Sequence, residues 1–113
     1  MAAWVNWDGG NAWQRIFDFG TSADQYLFLT PRSGDNTLRF GFKNGGGEQY
    51  VDTTQLATGV WVHVAVTLRN NTTTIYVNGQ AAASNGNVTI DPVDFMPNIN
   101  YIGDSQYGAD PLF

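Results

Sequence analysis

The residues of this 113-residue chain that could do chemistry are ten carboxylates, one histidine and a scatter of loop aromatics. Cutting a glycosidic bond takes two carboxylates flanking it, one as acid and the other as base or nucleophile. Glu48 is the single glutamate, next to Asn44-Gly45-Gly46-Gly47. The aspartates (Asp8, Asp18, Asp24, Asp35, Asp52, Asp91, Asp94, Asp104 and Asp110) fall mostly at turns, where the side chain bonds nearby backbone N–H groups. Asp18 alone has strand residues on both sides. No catalytic carboxylate pair is expected, and the chain reads as a non-enzyme. His63 could serve as a general base, but it lies inside the strongest strand pattern, which predicts a packed, hydrogen-bonded ring.

Two short motifs fail on context. Gly103-Asp104-Ser105 matches the tripeptide around one class of esterase nucleophile, yet that chemistry needs a following helix and a downstream Asp and His, and the sequence after Ser105 offers neither arrangement. Gly45-Gly46-Gly47 lacks the Lys-Ser/Thr and helix of a phosphate loop and reads as a hairpin tip. Asn70-Asn71-Thr72 and Asn87-Val88-Thr89 fit the glycosylation pattern and also fit ordinary turns.

The aromatics point elsewhere. Trp7 and Trp13 bracket the polar loop Asp8-Gly9-Gly10-Asn11-Ala12, and Tyr107 lies in Asp104-Ser105-Gln106-Tyr107-Gly108. A sugar ring stacks its C–H face on an aromatic and bonds its hydroxyls to amides and carboxylates. Trp7, Asn11, Trp13, Asp104, Gln106 and Tyr107 are therefore the expected ligand-binding residues. Trp13 either stacks on sugar or caps the sandwich edge, and its exposure decides between them. Trp4 and Trp61, in strand patterns, are expected to pack.

The elements that must hold these residues are strands. Alternation is clear at Ala3–Trp7, Arg15–Phe19 closed by Gly20, Tyr26–Thr30 ended by Pro31, Leu38–Lys43, and Glu48–Asp52. In Trp61–Leu68, Val62, Val64, Val66 and Leu68 face one way and Trp61, His63, Ala65 and Thr67 the other. Thr74–Val77 returns from Arg69-Asn70-Asn71 towards Asn78-Gly79. Asn85-Gly86, Val88–Ile90 and Asn100–Ile102 continue the run of short strands and turns. Gln55–Ala57 could hold one helical turn at most. The prediction is an all-β antiparallel sandwich in one domain, residues 1–113.

Composition agrees. Charged residues are only 13% of the chain and the net charge is −5, so no cationic surface exists to displace counterions from a nucleic acid. No long uncharged apolar run supports membrane insertion. The absence of cysteine excludes disulfides and thiolate metal sites without fixing a compartment. The first residues show no signal peptide, and the chain reads as a piece of a longer secreted or cell-surface protein.

Trp61-Val62-His63-Val64-Ala65-Val66-Thr67, then Ile75-Tyr76-Val77-Asn78-Gly79, then Tyr101-Ile102-Gly103, in that order, resemble the laminin-G-like, concanavalin A-like jelly roll. Ala3-Trp4-Val5-Asn6 and Arg15–Gly20 are similar to its early strands. The resemblance covers nearly the whole chain and implies the fold; that fold hosts many functions. Family members carry a strand before the first one here and another after Tyr-Ile-Gly, so exposed sheet edges and a homodimer or partner chain are expected. The resemblance also raises a structural Ca²⁺, for which Asp8, Asp52 and Asp104 are loop candidates without a ligand-like spacing. The expected function is extracellular carbohydrate binding, lectin-like and non-catalytic. The alternative is a protein–protein adhesion or assembly module of a larger surface or virion protein.

Overall fold

The computed structural model describes residues 1–113, and strands account for nearly all of its regular structure. They are β1 (Ala2–Asn6), β2 (Phe17–Ser22), β3 (Gln25–Thr30), β4 (Thr37–Asn44), β5 (Gln49–Thr54), β6 (Trp61–Arg69), β7 (Thr72–Val77), β8 (Gln80–Asn85) and β9 (Ile99–Ile102). All strand pairs are antiparallel, in a four-stranded sheet β1-β6-β7-β8 and a five-stranded sheet β5-β4-β3-β2-β9. The expected sandwich is present. One short 3₁₀ turn, Pro92–Asp94, is capped reciprocally by Asp91 and Asp94.

Alternation decides which side chains meet between the sheets. Val5 of β1, Val62, Val64 and Val66 of β6 and Ile75 of β7 face Phe17, Leu29, Leu38, Phe40, Phe42 and Val51 of the other sheet. The predicted inward face of Trp61–Leu68 is therefore the observed one. Asn78-Gly79 turns β7 into β8, with both residues at positive φ, +50° and +80°, the conformation a two-residue hairpin requires. The expected hairpin tip at Gly45–Gly47 joins β4 to β5.

Several local expectations differ. Val88–Ile90 is not a strand; Val88 is a buried plug at the end of the sandwich, held by its N–H to Asn71 O at 3.0 Å. Gln55–Ala57 forms no helical turn, and Leu56 instead enters the core. Gln80–Asn85, rich in alanine, pairs with β7 as an eighth strand. Trp4 and Trp61 do not pack inside: they lie on the outer face of the four-stranded sheet, 65% and 66% exposed. The alternation that points Val5 and Val62 inward sends their Trp neighbours out.

Candidate functional site

The five-stranded sheet has a second apolar-and-charged layer on its outer face. Phe28 of β3 points there, yet it is fully buried. Its cover is the segment before β2: the Trp13 ring lies edge-on at 6.4 Å and the Arg15 guanidinium stacks over it at 4.2 Å. Gly41, opposite Phe28 in register, leaves the space the Phe28 ring occupies, since a Cβ there would meet Phe28 Cε1 at 2.5 Å.

Trp13 is held unusually. Its φ is +75°, rare for a bulky residue. Its N–H donates to Arg32 O at 2.8 Å and its carbonyl accepts from Arg15 Nη1 at 3.0 Å. Arg15 and Arg39 guanidiniums lie 5.6 and 5.7 Å from the indole, an attraction between cation and ring quadrupole. Backbone strain of this kind persists where the surroundings fix it, and it gathers at functional positions. The indole stays partly exposed.

Both arginines are nearly buried, and each is neutralised on this face. Arg39, opposite Asp52 in register, makes a forked pair with it (Nε–Oδ1 2.7 Å, Nη2–Oδ2 2.8 Å) and also reaches Asp35 and Glu48. The bonds to Asp52 hold Arg39 firmly in its charged form. Tyr50 stacks on the same guanidinium at 3.7 Å. Arg15 bonds Asp18 at 3.2 Å and Asp110 at 3.1 Å.

Asp18 is fully buried. Its Oδ2 accepts from Arg15 Nε and the N–H of Gln106, with Ser105 Oγ 3.3 Å away, while Oδ1 has no partner. Burial pushes its pKa up, only partly opposed by the Gln106 N–H and Arg15. Ser105 Oγ lies closer to Asp110 (2.8 Å) than to Asp18 (3.3 Å), so its single proton goes to Asp110. The Gly-Asp-Ser motif thus ties the segment after β9 onto the sheet face.

Tyr26 and Tyr107 close the far wall. Tyr26 donates its hydroxyl to Glu48 at 2.8 Å and Tyr107 donates to Ala23 O at 2.9 Å, the rings meeting edge-on at 5.7 Å. Burial, then Tyr107 and Glu48, push the Tyr26 phenol above its ordinary range. Between these groups lies a cleft of about 230 Å³ lined by Trp13, Arg15, Tyr26, Glu48, Tyr107 and Asp110.

Of the residues read from sequence, Trp13 and Tyr107 come together on this cleft. Trp7 does not: it is buried in the core, its indole N–H donating to Gln14 at 2.8 Å, so neither ring face is open. Gln106 contributes its N–H to Asp18 while its amide bonds Ile99 O. Asp104 folds back onto the N–H of Ser105, and Asn11 is exposed on the loop before Trp13. Sequence reasoning missed Arg15, Tyr26, Glu48 and Asp110 as wall residues. The signal was present as alternation, since Tyr26 and Phe28 share a face opposite to Leu27 and Leu29. The ring of His63 is not in this site; it packs against Trp4, centroids 5.2 Å apart. No three His, Asp or Glu side chains gather as a metal-ligating group, and Asp52, a calcium candidate by resemblance, is engaged by Arg39.

Comparison with known proteins bears on the fold. The model of a laminin-G family described as "Concanavalin A-like lectin/glucanases superfamily" matches residues 1–113. No curated protein sequence matches significantly. Among solved structures, the crystal structure of an S-layer domain-containing protein from Clostridium thermocellum is similar at 35% identity with a TM-score of 0.40. The match covers 81% of this chain and 44% of that one, so this chain spans less than half of that structure's length.

Proposed function

The chain belongs to the concanavalin A-like lectin/glucanase superfamily, and from that premise we propose that it is a non-catalytic carbohydrate-binding module working outside the cell. The observation that carries this reading is the fixed, partly exposed Trp13 sharing a cleft with Tyr107, Glu48 and Asp110. An indole offers a sugar its C–H stacking partner, and carboxylate and phenol oxygens accept from hydroxyls. Trp13 is held before any ligand arrives, which lowers the ordering cost of binding.

The same contacts support a binding role over hydrolysis. A glycosidase needs one carboxyl protonated and one ionised, both reaching the glycosidic bond. Asp18, whose pKa is raised, lies sealed beneath Ser105 and Gln106. Glu48 and Asp52 are bonded to Arg39, and Asp110 to Arg15. A glycan array followed by calorimetry on the best hit tests the reading. Binding that Trp13→Ala abolishes, with the melting transition kept, is the expected result. Glycan turnover lost on Glu48→Gln, or glycan binding indifferent to Trp13, would overturn it.

A further inference from the structure

The cleft at Trp13 spends its charged and phenolic donors on the protein itself. Tyr26 gives its hydroxyl proton to Glu48 (2.8 Å) and Tyr107 gives its own to Ala23 O (2.9 Å). Arg15 aims Nε at Asp18, Nη1 at the Trp13 carbonyl and Nη2 at Asp110, and only 3% of its side chain is exposed. The acceptors are less used. An ionised carboxylate has about four lone-pair sites. Glu48 accepts from Tyr26 and, through a long 3.4 Å contact, from Arg39, and its side chain stays 24% exposed. Asp110 receives Arg15 and Ser105 on Oδ2 alone and stays 18% exposed.

Charge on the surrounding face acts in the same direction. The cations Arg15, Arg39 and Lys43 are matched there to six carboxylates. The guanidinium of Arg32, whose carbonyl holds the Trp13 N–H, bonds Gly10 O and Asn36. The excess is negative, and the cations are paired or already bonded. A cleft lined by one sign of charge draws a ligand of the other sign. A uronate, a sialate or a sulfated sugar would bring a further anion towards Glu48 and Asp110, and such like-charge approach works against binding.

We propose that the glycan taken by this cleft is basic: a sugar with free, protonated amino groups, of the glucosamine type, its ring on Trp13 and an ammonium on the oxygens of Glu48 or Asp110. This rests on the carbohydrate-binding reading above and adds the class of sugar. An ammonium carries three donors and no acceptor, the complement of a wall with acceptors to spare. Its bonds to a carboxylate are charge-assisted and about twice as strong as those of a neutral hydroxyl. The face of an indole also attracts a cation. N-acetylation removes the charge and adds an acceptor, so an acetylated sugar loses both advantages.

A glycan array bearing matched oligomers of glucosamine, N-acetylglucosamine, glucose and glucuronic acid tests this, followed by calorimetry in mildly acidic buffer that keeps the amines protonated. The glucosamine oligomer should bind at least about tenfold more tightly than the glucose oligomer, and the glucuronic acid oligomer should not bind. Added salt should weaken the glucosamine complex far more than the glucose complex. Glu48→Gln keeps the side-chain shape and removes one charge, so the ratio of the two affinities should shrink. Should that variant not fold, because Tyr26 and Arg39 lose a partner, the salt series on the parent protein decides. A neutral or acidic oligomer bound as tightly as glucosamine would overturn this inference and leave the carbohydrate reading standing. So would a ratio unchanged in folded Glu48→Gln, or a lysine peptide that binds as tightly as the glucosamine oligomer. An array without any bound glycan would overturn both.

Discussion

Arg39 and Asp52 face each other across β4 and β5 and close a two-bond ion pair of 2.7 and 2.8 Å on the outer face of the five-stranded sheet. Their register places a charge where a second layer covers the sheet, and the guanidinium then serves four further neighbours: Tyr50, Trp13, Asp35 and Glu48. A nearly buried arginine is tolerated only when its donors are matched.

Asp52→Ala should therefore destabilise the fold more than a surface pair would. Breaking a buried pair costs about 3–5 kcal/mol. Asp52 is partly exposed and Glu48 and Asp35 remain beside Arg39, so about 2 kcal/mol is expected after solvent screening. Urea unfolding measures it. A cost no greater than that of removing the exposed Asp24 would show that the pair carries little.

Asp18 gives the pH dependence a sign. Burial raises its folded pKa above 3.8, so the folded state binds the proton more tightly than the unfolded one. Its contribution to stability is greatest below 3.8, falls as pH rises through the raised folded value, and is then flat. Urea midpoints across this acid window should show that downward component, and Asp18→Asn should remove it. A mutant with the parent's pH profile would contradict this.

Val64 tests the inner face. It is buried at the middle of β6, and Val64→Asp strands a carboxylate without a partner, a loss of more than about 4 kcal/mol. Circular dichroism should show no cooperative melt. Thr67→Asp, exposed on the other face of the same strand, should melt close to the parent.

Gly41→Ala probes the outer layer without touching the cleft wall. The new methyl would meet the Phe28 ring, and overpacking of that kind costs about 1–3 kcal/mol. Because Trp13 and Arg15 rest on Phe28, the same change should weaken any glycan that Trp13 binds. Thermal melts and calorimetry read the two effects. An unchanged affinity alongside a lowered melt would separate Phe28 from the site.

The sequence by itself determined the sandwich, because period-two alternation fixes strands and faces locally: Val62, Val64 and Val66 could only share a side. It also named Trp13 and Tyr107, since polar loops around aromatics are visible without coordinates. What it could not decide was which face of each sheet receives a second covering. Trp4, Trp7 and Trp61 look alike as aromatics among strand residues, yet Trp7 is buried while Trp4 and Trp61 are open to solvent. Trp7 lies between the sheets with Val5, whereas Trp4 and Trp61 stand on the outer face of their sheet. On the other sheet, the segment before β2 and the one after β9 fold over the outer face and bury Phe28, Arg15 and Asp18. Those are contacts between residues as distant as Asp18 and Ser105, and only the tertiary fold brings them together.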